Sequence, residues 1–193
     1  MRRAIAALRA RLGTSDESGH TLVELIISMS ILAAVMTSIS VLLVSATNSE
    51  VDMNKRFQAQ TNARLGLDKM RREVHCASAV TLSGAAVSGL QPTAILTIPA
   101  TCPTAGGLTA VTWCTKADGA SWELWRYASG ACSGTGRKWA EDLTKGTLFS
   151  YAPQSTSSLA KLHVELPVNP TPASPERVYA LDDDIVLRNS TRT

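Results

Sequence analysis

Charge is missing from one long stretch of this sequence: between Leu25 and Ser49 there is no Asp, Glu, Lys or Arg. That excludes an ordinary surface helix, which carries one polar face, and it is too long for the core of a secretory signal, about 7 to 15 residues. Metal-binding cysteine pairs are also lacking. The four cysteines, Cys76, Cys102, Cys114 and Cys132, form no C-x-x-C, and the three histidines, His20, His75 and His163, are scattered, which argues against zinc. No serine sits in a G-x-S-x-G turn, so a nucleophile-elbow hydrolase is not indicated. Net charge is small as well. The formal value is +3, and four arginines (Arg2, Arg3, Arg9, Arg11) against Asp16 and Glu17 in the first 19 residues account for most of it. The remainder is almost neutral and gives no electrostatic reason for bulk nucleic-acid binding.

The uncharged stretch is long enough to cross a bilayer. At about 1.5 Å per residue it exceeds a hydrocarbon core of roughly 30 Å. The basic residues before it argue that residues 1–19 stay cytoplasmic, so that everything after the span faces outward. All four cysteines lie on that outward side, where two disulfides are expected. Glu24 stands at the mouth of the apolar run, and a carboxylate near membrane depth asks for a partner.

Residues 19–25, Gly-His-Thr-Leu-Val-Glu-Leu, resemble the prepilin peptidase site of type IV pilins and pseudopilins. The resemblance implies cleavage after Gly19, a mature chain beginning at His20, N-methylation of His20, and a role for Glu24 in assembly. In that role the carboxylate meets the N-terminal amine of a neighbouring subunit. Gly19, Thr21, Leu22, Val23, Glu24 and Leu25 match the motif, while His20 stands where the family usually places Phe or Met. The partners implied are prepilin peptidase, the other pilins or pseudopilins of the filament, and the cytoplasmic membrane before assembly. The implied location is single-pass in the cytoplasmic membrane, then an envelope or cell-surface filament.

After the span, charge returns without proline. Met53, Phe57, Ala63, Leu67, Met70 and Val74 recur at helical spacing, which predicts one helix from about Thr21 to Ala77, apolar all round at first and amphipathic later. The basic cluster Arg64, Lys69, Arg71 and Arg72 reads as a solvated helix face rather than a nucleic-acid patch, since no aromatics interleave with it.

Beyond Cys76 short β-prone runs alternate with Gly, Pro, Ser and Thr clusters. Strands are expected at 94–99, 111–115, 122–127, 147–151, 159–166 and 178–187, with a hairpin at Asp118-Gly119 and a proline-rich loop over 167–175. The predicted fold class is α+β, a long N-terminal helix packed on an antiparallel sheet. The organisation is a leader (1–19), a span (20–49), an amphipathic helix (50–77) and a β-rich outer domain (78–193). The segments LDKMRREVHCA, WELWRY, AEDLTKGTLFSY and YALDDDIVLRN resemble the larger minor pseudopilins, particularly the J type of type II secretion systems, and minor type IV pilins.

A meander of the strands at 94–99, 111–115 and 122–127 would bring Cys102 and Cys132 out at one end and leave Cys114 at the other, where the helix carrying Cys76 enters. The expected pairs are therefore Cys76–Cys114 and Cys102–Cys132. Asp182, Asp183 and Asp184 offer oxygens for calcium, but their consecutive spacing is not that of a calcium loop; no metal and no cofactor is expected. The reading is a structural filament subunit rather than an enzyme. The alternative is a tip module that binds DNA or a surface.

Overall fold

A computed structural model of the chain describes residues 21–103, 106–171 and 177–190. It divides into two units between Ser49 and Glu50, and helix α1, Leu22–Cys76, contributes to both. In the first unit every described residue is exposed. Six hydroxyls there (Ser28, Ser30, Thr37, Ser38, Ser40 and Thr47) donate to carbonyls three or four residues back on their own helix. These six hydroxyls are thus satisfied within the helix, the condition that a hydrocarbon surrounding imposes.

Among its described residues the second unit holds eight strands: β1 Ala79–Ser83, β2 Thr93–Thr97, β3 Ala110–Asp118, β4 Ser121–Tyr127, β5 Gly136–Leu143, β6 Phe149–Ala152, β7 Lys161–Val168 and β8 Tyr179–Val186. All pair antiparallel, in the order β1-β2-β3-β4-β5-β7-β6, with β8 on the other edge of β7. β5 and β6 share one edge of β7, meeting it at Val168 and at Lys161 to Val164 respectively. The fold is therefore α+β, with a long helix packed on a curled antiparallel sheet, as expected. Six of the strands fall where alternation and β-propensity place them, and β8 continues unbroken through its three aspartates. β1 and β5 were not foreseen. Nor was the inclusion of Pro167 and Val168 in β7 rather than in a loop; residues 172–176 of that loop lie outside the described residues.

Residues 59–74 of α1 turn Ala59, Ala63, Gly66, Leu67, Met70, Glu73 and Val74 toward the sheet. Their spacings of three, four and seven make one stripe. The small residues at its start let the backbone come close: a Cβ on Gly66 would lie 3.4 Å from the Trp139 Cβ and 3.7 Å from a Leu124 methyl. Two members of the expected stripe are elsewhere, since Met53 and Phe57 are 68% and 70% exposed. They belong to a second apolar face, and spacing alone does not reveal which face the sheet covers.

The stripe contains one carboxylate. Glu73 is 1% exposed and accepts from the Trp113 indole on β3 at 2.9 Å and from Arg126 Nε on β4 at 2.8 Å. Lys69, one turn earlier, reaches the same carboxylate at 3.1 Å. A buried charge is tolerated only when paired and hydrogen-bonded, and here the partners come from both layers. The contact pins helix to sheet in one register.

The disulfides differ from the expected pairing. Cys76 bonds Cys102 and Cys114 bonds Cys132, with Cα separations of 5.8 and 6.2 Å. The unforeseen strand β1 is the reason. It leaves the helix end, and β2 returns antiparallel to it, pairing Ala79 with Thr97, so the segment after β2 brings Cys102 back beside Cys76. Cys114 lies on the sheet face opposite Trp113. There the β4–β5 connection folds back onto it, held also by Thr112 Oγ1 donating to Ser129 O at 2.7 Å.

β5 carries register shifts against β4 between Trp122 and Leu124 and between Leu124 and Trp125, each an extra residue on the β5 side. Asp142 sits at one of them with φ 59°. Burial, then the neighbouring Glu141 carboxylate, raises its carboxyl above the ordinary range. A raised folded value means that ionisation disfavours the folded state, fully above that value and not at all below the unfolded one. Asp142→Asn, which tolerates positive φ, should therefore stabilise the domain at pH 7 by a margin under about 1 kcal/mol. Thermal melts should show the gain shrinking to nothing by about pH 3.5; a gain independent of pH would contradict this account.

Candidate assembly site

The expected cleavage and methylation positions, Gly19 and His20, and the leader before them lie outside the described residues. The described chain begins at Thr21, which caps α1. Its Oγ1 accepts from the Glu24 backbone N–H at 3.3 Å, satisfying one of the helix donors that have no carbonyl partner. Thr21-Leu-Val-Glu24 is thus the Thr-x-x-Glu pattern of a capping box. A carboxylate in the first turn also meets the positive end of the helix dipole. Glu24 is exposed and stands where the helix begins, immediately before the uncharged run. The helix window of highest hydropathy averages 2.3, long and apolar enough to cross a membrane.

The basic cluster on the second half of α1 is only in part the solvated face that was expected: Arg64 and Arg72 are exposed and Lys69 and Arg71 half-buried, and their charges have partners. Arg64 donates to the Tyr179 hydroxyl at 2.6 Å, and Arg71 pairs with Asp183 at 3.0 Å and Asp68 at 2.9 Å. Lys69 is on Glu73. Arg72 donates to the Asp68 carbonyl of its own helix. Nearby, His75 Nδ1–H donates to the Val186 carbonyl at 2.8 Å and Asn189 to the Cys76 carbonyl at 2.8 Å. The charges dock β8 against the helix. Sequence could have suggested this from β8 itself, where Tyr179 and Asp183 share one face at even spacing.

Asp52, nearer the start of this half, accepts from Arg56 at 2.9 Å and from Thr171 Oγ1 at 2.8 Å. These hydrogen bonds hold its carboxyl below the ordinary range. The contribution to folding is present above the ordinary carboxyl value and is lost as pH falls through the lowered one.

The aspartates of β8 diverge as strand geometry requires. Asp182 and Asp184 flank His163, with Asp184 Oδ1 2.8 Å from Nδ1 and Asp182 Oδ1 3.3 Å from Nε2, while Asp183 faces Arg71. The two carboxylates meet opposite nitrogens of one ring and do not converge on a shared point. Among the described residues no group of three His, Cys, Asp or Glu side chains is arranged to hold a metal ion.

A family model described as the prokaryotic N-terminal methylation motif matches residues 14–45. No curated protein and no solved structure matches the chain. The motif and the long apolar helix together point to membrane anchoring. In register with the uncharged helix, the match over residues 14–45 gives this chain the N-terminal signature of a type IV pilin-like protein.

Proposed function

We propose that this chain is a minor pseudopilin or minor pilin, a structural subunit of a type II secretion or type IV pilus-like filament. The observation that carries the reading is the register of the methylation motif with the helix. The motif covers residues 14–45, the helix starts at Leu22, and charge is absent from Leu25 to Ser49. Prepilin peptidase cuts after Gly19 and methylates the new amine of His20. The leader's arginines hold the N-terminus in the cytoplasm, and the disulfide-bonded domain lies outside. Glu24 then guides the helix into the filament by pairing with a neighbour's N-terminal amine. The segments noted above favour a minor subunit of the J type.

The test is the intact mass of the protein extracted from membranes of cells that hold prepilin peptidase. The expected mass corresponds to a chain starting at His20, with or without one methyl group. A mature N-terminus beyond Leu25 would mean that another peptidase acts, and the proposal would fall.

A further inference from the structure

Two arginines on the helix side of the sheet are treated differently by the fold. Arg126 on β4 and Arg137 on β5 are directly opposite each other, a like-charge placement that is unfavourable unless each is compensated. Arg126 is compensated by Glu73 at 2.8 Å. Arg137 is exposed and stacks over the Trp139 ring at 4.7 Å, and no described carboxylate pairs with it.

Trp139 is unusual in the same way. The indole nitrogens of Trp113 and Trp125 each donate to a carboxylate, Glu73 and Glu123. The Trp139 Nε1 is buried and meets no acceptor among the described residues. A buried donor without an acceptor is rare and calls for an explanation. An extra residue in β5 at this point turns Trp139 toward the helix.

Arg137 and Trp139 line one cavity of about 150 Å³, together with Asn62 and Leu65 of α1, Lys138 and Glu141. Lys138 and Glu141 pair with each other at 2.9 Å, so Arg137 is the cation left over. The cavity has room for a few waters, or for the end of one side chain, and is well below the size of pockets that hold whole small molecules.

We propose that this cavity is a carboxylate-binding site that receives an acidic side chain of a neighbouring filament subunit. The guanidinium of Arg137 takes the charge, the Asn62 side chain lines the same cavity, and the Trp139 ring lies under the guanidinium, where its indole nitrogen reports on the bound carboxylate. The choice of a neighbouring subunit rests on the filament reading above; the preference for a carboxylate does not.

The experiment uses the full chain in non-ionic micelles with tryptophan labelled at the indole nitrogen. Propionate, a stand-in for a glutamate side chain, is titrated at constant ionic strength, with chloride and inorganic phosphate as comparisons. One indole resonance, identified by its loss in Trp139→Phe, should shift saturably with propionate and not in Arg137→Gln. No saturable shift, an equal shift in Arg137→Gln, or saturation by phosphate at lower concentration overturns the carboxylate site.

In cells, Arg137→Gln should lower co-purification of neighbouring subunits roughly tenfold, with an unchanged melting temperature, and Arg137→Lys should recover part of it. Wild-type recovery of neighbours by Arg137→Gln overturns the choice of partner. Failure of the wild type itself to bring down neighbours counts against the filament reading instead, and the titration then decides the cavity alone.

Discussion

Glu73→Ala is expected to destabilise the outer domain by about 3–5 kcal/mol, the usual cost of removing one partner from a buried, hydrogen-bonded charge pair. The substitution leaves Arg126 without its carboxylate and the Trp113 indole without an acceptor. Lys69, more exposed, can turn to water. Domains of this size are stable by about 5–15 kcal/mol, so the loss is a large fraction of the total. At about 2–4 °C per kcal/mol for chains of 150 to 250 residues, the melting temperature should fall by roughly 10 °C. Glu73→Gln, which keeps one acceptor but no charge, should lie between wild type and Ala.

A paired change separates the clamp from mere packing. Glu73→Leu with Arg126→Met removes both charges and fills similar space. It should recover most of the stability lost in the single variants, because apolar replacement of a buried pair is often neutral or better. Melting of Glu73→Ala within about 2 °C of wild type would remove the clamp from the account of how the helix is seated.

The long helix was legible because two independent signals agree on it, a gap in charge and then an apolar stripe. Which apolar residues meet the sheet was only half legible. Ala63, Leu67, Met70 and Val74 do, whereas Met53 and Phe57 face away, and period alone does not choose between two apolar faces. Glu73 left a trace that could have been followed. It sits three residues after Met70 and seven after Gly66, a charge placed on the apolar stripe. Arg126 shares a strand face with Leu124 in WELWRY, again a charge among core positions. Two opposite charges on two buried faces are what a buried pair requires.

β5 was not legible, since GRKWAEDL mixes charges with no strict alternation. The register shifts on β5 explain why: each extra residue breaks the period of two on which strand recognition depends. The miss at β1 had a larger consequence. One unforeseen strand reverses which end of β2 lies beside the helix, and both disulfide pairings changed with it. At the N-terminus the expectation for Gly19, His20 and Glu24 rests on a contiguous motif, which can be read without any tertiary contact, and the family model matches that motif over residues 14–45.

Glu24→Ala is expected to leave folding and cleavage intact and to block assembly. Glu24 lies in the first unit, apart from the core that holds the disulfides, so the melting temperature of the outer domain should not change. Gly19 remains for the peptidase. The cap survives too, because Thr21 Oγ1 accepts from the backbone N–H of residue 24 whatever its side chain. Loss of the dipole contact costs only about 0.3–1 kcal/mol, and removal of a carboxylate at the head of the span eases insertion. What the variant lacks is the charge that a neighbour's N-terminal amine would meet as the helices come together. An amine left unpaired in that setting costs about 3–5 kcal/mol, equivalent to a loss of two orders of magnitude or more in a subunit contact. Glu24→Gln, with the same shape and no charge, should behave like Ala, while Glu24→Asp should retain part of the function. Both blocked variants should accumulate in the cytoplasmic membrane with the mature mass and fail to co-purify with sister subunits. Recovery of Glu24→Ala in complexes at the wild-type level would show that the carboxylate has no part in assembly.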